Sequence, residues 1–202
     1  MLRKSKKTLA IVCCLMLTFT NVAFAETEKN TGVNMESILE EIPKSAVLSG
    51  YIYKYENAPK EIKDIYASKC EALNIVPQAD DEIFVPERYN FMSEGDTSGV
   101  YANYYVDYNP SKKTIRISGS GNYTISTTKL VGYGHYTSGT EVRCAQILLG
   151  LLNYNVLVDG LFGNDTYNAV VSFQRRYGLS ADGIVGSATW DKLGRLTDPS
   201  FS

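Results

Sequence analysis

The strongest constraint on this chain is a passage that occurs twice. Val158-Asp159-Gly160-Leu161-Phe162-Gly163-Asn164-Asp165-Thr166-Tyr167 is matched by Ala181-Asp182-Gly183-Ile184-Val185-Gly186-Ser187-Ala188-Thr189-Trp190. Asp, Gly, Gly and Thr coincide, and apolar residues fill the same places between them. Two copies at so short a period mean one supersecondary element used twice. In each copy the Asp-Gly pair suits a tight turn, because the carboxylate can accept nearby backbone N–H groups and glycine tolerates positive φ. The two apolar residues that follow anchor the loop in a core. Asn164 and Ser187 stand where helix N-caps are expected, with Thr166 and Thr189 in the first turn. Beyond the first copy, Thr166, Val170, Phe173 and Tyr177 recur at helical spacing, and Gly178 supplies the stop. Beyond the second, Thr189 or Trp190, then Leu193 and Leu196, mark a shorter helix. Upstream, Val142, Ala145, Leu148 or Leu149, and Leu152 form a helix with an unusually wide apolar face. The spacing thus predicts a three-helix bundle over residues 141–197.

The segment before it has a different character. Pro59 opens a helix whose Ile62, Ile65, Tyr66, Cys70 and Leu73 make one apolar stripe. A shorter helix is expected around Ile38, Leu39 and Ile42, ended by Pro43. From Ile83 the period changes to two. Val100, Ala102, Tyr104, Val106 and Tyr108 alternate with Tyr101, Asn103, Tyr105 and Asp107; Asn109-Pro110-Ser111 turns, and Thr114 to Ser118 returns as a strand. Gly119 to Gly121 breaks the chain again before Tyr123 to Val131. Residues 35–131 are therefore expected to be a small α+β domain built on a β-meander, with 132–140 as the connection to the bundle, an α+β chain as a whole.

The residues of the bundle carry a family likeness. Gln146, the loop Val158 to Gly163 with Thr166, the helix Ala169-Val170-Val171-Ser172-Phe173-Gln174, Gly178-Leu179, and Asp182 to Gly186 closed by Thr189-Trp190 resemble the three-helix peptidoglycan-binding domain. That domain is found attached to bacterial cell-wall amidases, carboxypeptidases, transpeptidases and germination enzymes. Ala145 stands where the family usually has leucine, and Asn164 and Ser187 replace a common proline. The resemblance implies that this segment binds peptidoglycan as its partner. Asp159, Gly160, Gly163, Asp182, Gly183 and Gly186 are read as fold determinants, and Phe173 and Trp190 as core. Tyr154, Asn164, Asp165, Gln174 and Arg175 are the candidate ligand contacts near the loops.

Composition narrows the chemistry further. Arg3, Lys4, Lys6 and Lys7, the apolar run Leu9 to Phe19 and Ala23-Phe24-Ala25 read as a secretory signal peptide over 1–25, followed by a polar leader over 26–34. No stable membrane insertion is expected after its removal. Without those four basic residues the net charge is about −6, which argues against nucleic acid as a partner. One histidine, His135, is too few for the usual hydrolytic zinc site, so no metal and no cofactor are expected. Export permits a disulfide between Cys70 and Cys144; two separate buried thiols are the alternative.

Catalytic constellations are sparse. Ser126-Thr127-Thr128-Lys129 has the Ser-x-x-Lys spacing but lies in β-like sequence, where the two side chains cannot share a helix face. Cys70 lies on an apolar stripe, which suits an inert thiol. The expectation is a secreted, non-catalytic or accessory wall-binding protein. Two alternatives stay open: a wall hydrolase working through carboxylates of residues 35–131, and a protein-interaction element displayed on the wall. Seven tyrosines between Tyr101 and Tyr136 either fill a half-buried sheet or, where one strand face is open, offer rings for sugars or a protein partner.

Overall fold

The computed structural model describes residues 47–89 and 98–201. The expected signal peptide, leader and short helix near Ile38 lie outside them. Five strands, β1 (Val47–Lys54), β2 (Glu82–Pro86), β3 (Val100–Asn109), β4 (Thr114–Gly119) and β5 (Tyr123–Ser126), form one antiparallel sheet in the order β2-β1-β3-β4-β5. Four α-helices accompany it: α1 (Lys60–Ala72), α2 (Thr140–Leu151), α3 (Asn164–Arg176) and α4 (Ser187–Thr197). The arrangement is α+β. The meander read from the alternation of Val100 to Val131 is β3-β4-β5, while β1, inserted between β2 and β3, has no counterpart in that reading.

Alternation sorts the sheet into two faces, each with its own apolar cluster. Leu48, Phe84, Ala102, Tyr104, Val106, Tyr108, Ile115, Ile117 and Ile125 point to one side and pack with α2, α3 and α4 in a single core. Tyr53, Ile83 and Val85 point to the other, where Ile62, Tyr66 and Cys70 of α1 meet them. α2 runs through the larger cluster, and every residue from Cys144 to Leu151 is buried. The breadth of its apolar face follows, because the sheet lies against it as well as the other two helices. One core therefore serves the sheet and α2, α3 and α4 together, while α1 closes a second cluster on the other face.

Three further contacts stitch the parts. Val158 forms an antiparallel bridge to Phe84, with N–H···O distances of 3.0 and 2.9 Å, and so covers the free edge of β2. Arg143 of α2 donates to the carbonyls of Glu82 (2.8 Å), Val158 (3.2 Å) and Asp159 (3.3 Å). At the far end of the sheet, Asp191 of α4 accepts from the Tyr108 hydroxyl at 2.6 Å, and Asp198 accepts from the Tyr108 backbone N–H at 2.6 Å.

The Tyr108 bond holds the Asp191 carboxyl below its ordinary value, and burial with the same bond pushes the phenol up to about 12. A depressed carboxylate contributes stability above its unfolded pKa and loses it as pH falls through the folded value. Asp191→Asn should therefore cost less than about 1 kcal/mol at neutral pH. The gap between variant and wild type in urea midpoint should close as pH falls below the ordinary carboxylate range and through the depressed folded value.

Cys70 and Cys144 are both free and both buried, so they are not joined. The physical reason is topological: Cys70 faces the α1 cluster and Cys144 the core on the opposite face of the sheet. Burial raises both thiols above the ordinary value. Neither thiol should react with iodoacetamide at mildly alkaline pH in the native protein, and both should react in urea, as intact-mass measurement would show.

Candidate functional site

The duplicated loop is built around a buried glutamine. From α2, Gln146 Nε2 donates towards Asp159 Oδ1 (2.7 Å), the Leu161 carbonyl (3.0 Å) and Thr166 Oγ1 (3.2 Å). Its Oε1 accepts from the N–H groups of Asp159 (3.1 Å) and Gly160 (2.8 Å). From α3, Gln174 repeats the pattern with Asp182 Oδ1 (2.9 Å), the Ile184 carbonyl (2.9 Å), Thr189 Oγ1 (3.2 Å) and the Gly183 N–H (2.9 Å). In both copies the aspartate also accepts from the N–H two residues on, at 2.9 Å. Each shared Asp, Gly and Thr thus completes one glutamine's hydrogen bonds. Gly160 and Gly183 take φ of 75° and 74°, as the Asp-Gly turn requires, and a Cβ on Gly183 would collide with the Tyr167 ring.

The helix starts differ by one residue from the sequence expectation. Gly163 and Gly186, not Asn164 and Ser187, are the N-caps; their extended backbones place their carbonyls to accept from Tyr167 and Trp190, both at 2.9 Å. No side chain caps either helix. Thr166 and Thr189 face the glutamines. Phe173 and Trp190 are fully buried as expected, and the Trp190 indole N–H donates to the Lys129 carbonyl at 2.8 Å.

The first loop meets α1 through an ion cluster. Lys69 is only 7 % exposed; its ammonium lies 2.5 Å from Asp159 Oδ2, itself 0 % exposed, and 2.8 Å from Asp165 Oδ2. Burial alone would pull the ammonium's pKa down, but the two carboxylates outweigh it and hold it above the ordinary lysine value. The Asp165 contact is an ion pair without hydrogen-bond alignment, so neither of its oxygens has a hydrogen-bond partner.

Above this cluster lies a groove of 560 Å³ between α1 and the start of α3. Asp64, Ile65, Ser68 and Leu73 form one wall, and Tyr133, Phe162, Asn164 and Asp165 the other. Tyr133 stands 46 % exposed; its hydroxyl donates to Asn164 Oδ1 at 2.9 Å, and its ring packs edge-on against Phe162 with centroids 5.5 Å apart. The groove can hold a ligand that lays a ring or apolar group on Tyr133 and offers donors to Asn164.

Of the five residues predicted to contact ligand, the structure brings two together here, Asn164 and Asp165. Tyr154 lines a separate 240 Å³ cavity with Ser49, Arg88 and Tyr89. Arg175 is exposed on the last turn of α3, and the Gln174 amide is committed to its loop. Lys69 was not among the candidates, and Tyr133 entered only as one of the seven tyrosines that could offer a ring. A lysine three residues after Tyr66 on the apolar stripe was the one available sign of the first. Ser126 and Lys129 do not pair, since Lys129 donates to the Tyr136 hydroxyl at 2.9 Å.

Comparison with known proteins places this latched double loop on three helices among peptidoglycan-binding domains. Residues 138–193 match a family described as "Putative peptidoglycan binding domain", and residues 44–107 match a second family described as "Putative peptidoglycan-binding domain". A 2.05 Å crystal structure of a peptidoglycan-binding protein from Clostridioides difficile, in complex with glutamine hydroxamate, is 61 % identical. The match covers 79 % of this chain and 99 % of that one, with a TM-score of 0.73. This chain belongs to the family of that protein. The N-acetylmuramoyl-L-alanine amidase CwlM of Mycobacterium tuberculosis is 40 % identical over 90 residues, 44 % of this chain and 22 % of the amidase. The zinc D-Ala-D-Ala carboxypeptidase of Streptomyces albus G is 41 % identical over 83 residues, 39 % of this chain and 30 % of the enzyme. The chain thus spans less than a third of the length of these curated relatives.

Proposed function

We propose that this chain is an exported peptidoglycan-binding protein, non-catalytic itself, that residues 1–25 direct out of the cell, and that the groove beside Tyr133 and Asn164 contacts the wall polymer. The observation that carries this reading is the family membership, over nearly the full length of a peptidoglycan-binding protein. The stiff double loop supports it: Gln146 and Lys69 fix the start of α3, so Asn164 and Tyr133 meet a ligand without first being ordered. Affinity at one groove is modest and becomes useful on a polymer that repeats its ligand many times.

The full chain should sediment with insoluble sacculi and release no dye from labelled wall. Tyr133→Ala with Asn164→Ala should weaken sedimentation by about tenfold, since an aromatic contact and a hydrogen bond are together worth about 1.4 kcal/mol or more. Sedimentation unchanged by that pair would move the site away from the groove. Dye release abolished by a single carboxylate substitution would make the chain a hydrolase.

A further inference from the structure

We propose that the open face of the sheet, carried by Tyr101 and Tyr105, is the surface on which the glycan strand of peptidoglycan lies; this rests on the wall-binding reading and names a second contact within it. α1 covers only the β1–β2 end of that face. Beyond it, Tyr101, Asn103, Tyr105 and Asp107 of β3 point outward, alternating with the buried Ala102, Tyr104, Val106 and Tyr108. Tyr101 is 53 % exposed and Tyr105 45 %. Each of these two rings keeps about half of its surface open to solvent. Tyr51, directly opposite Tyr101, packs edge-on against it with centroids 5.5 Å apart, which fixes the ring's orientation.

The chemistry of the face selects sugar. Asp107 lies opposite Arg116, so the charges offset and the face is close to neutral in a chain with more acidic than basic residues. Between the rings, Asn103 accepts from Ser49 at 2.8 Å, placing amide and hydroxyl groups at the level a sugar's substituents would reach. Four residues of strand separate the rings by roughly 13 Å, room for more than one pyranose along β3. The C–H face of a pyranose carries partial positive charge and is attracted to the negative face of a tyrosine ring, and a two-torsion side chain loses little entropy in holding it. A protein partner would want a contiguous apolar centre, whereas polar Asn103 and Ser118 lie between and beside these rings. The family match over 44–107 takes in β1, β2 and most of β3, including both tyrosines.

The test compares the full chain with a Tyr101→Ala, Tyr105→Ala double variant and a Tyr101→Phe, Tyr105→Phe variant. Each is titrated calorimetrically with glycan strands freed of stem peptides by an amidase, and sedimented with intact sacculi. Stacking predicts that the alanine pair binds peptide-free glycan about tenfold more weakly and the phenylalanine pair within about twofold of wild type. Wild type that binds sacculi but not peptide-free glycan overturns the assignment and leaves wall binding standing. Wild type that binds neither overturns both. Equal glycan binding by the alanine pair, with a change of oligomeric state on ultracentrifugation, would make the face a contact between copies and overturn the glycan assignment.

Discussion

Lys69→Met should unfold this protein in markedly less urea than wild type, with a loss of about 3–5 kcal/mol. Methionine keeps an unbranched apolar stem but ends one atom short of the ammonium, and so removes the charge and its donors. What remains is Asp159, whose carboxylate is fully enclosed, with Oδ2 facing an apolar methyl where it had an ammonium at 2.5 Å. An ion pair so buried gains little over a well-packed apolar replacement, yet stripping one partner leaves the other charge without water or counterion. The measurement is the urea midpoint of the single variant, of Asp159→Asn, and of the double. Asparagine can still accept through Oδ1 from Gln146 and the Leu161 N–H, so the double variant should be more stable than Lys69→Met alone. Additive losses would show that the ammonium is not what compensates Asp159.

Gln146→Leu should be the other severe substitution, costing about 2–4 kcal/mol, and Gln174→Leu should cost measurably less. The two glutamines make nearly the same bonds, so the difference comes from their surroundings. Asp159, Gly160 and Thr166 are buried, and leucine would take from the Asp159 and Gly160 N–H groups and the Thr166 hydroxyl the bonds that Gln146 supplies, and from the Asp159 carboxylate one of its donors. Asp182 is exposed on the second loop, where water can take over part of what Gln174 supplies. Thermal melts of the two variants test the order directly. Equal losses would mean that the loops are latched by something other than enclosed polar pairing. Gln146→Leu should also lower the protection of Lys69, since both hold the same carboxylate.

How far such features could be read without the structure varies with the range of the interaction. The Asp-Gly corners, the helices after them and the β3-β4-β5 meander rest on neighbours a few residues apart, and residue types declare them. The glutamines were visible only as companions of the repeat, because Gln146 must reach Asp159 across a helix end before its bonds exist. β1 escaped notice because Gly50 interrupts its alternation; the glycine is there because a side chain would strike the Val85 carbonyl of β2. Lys69 escaped for a related reason. Periodicity counts lysine as a solvent residue, and the two carboxylates that neutralise it lie far along the chain. In the groove, Asn164 and Asp165 were legible from their place after the loop, whereas Tyr133 depends on a crossing fixed only when Val131 pairs with Val185.

The bridge between Phe84 and Val158 bears on how such a molecule would meet a polymer. Because the sheet shares its core with three helices and is bridged to the first loop, the groove and the tyrosine face belong to one packed unit, like two jaws cast in one piece. A polymer can touch both at once only when it approaches along a compatible heading. The fold would then respond to the alignment of wall strands as well as to their chemistry.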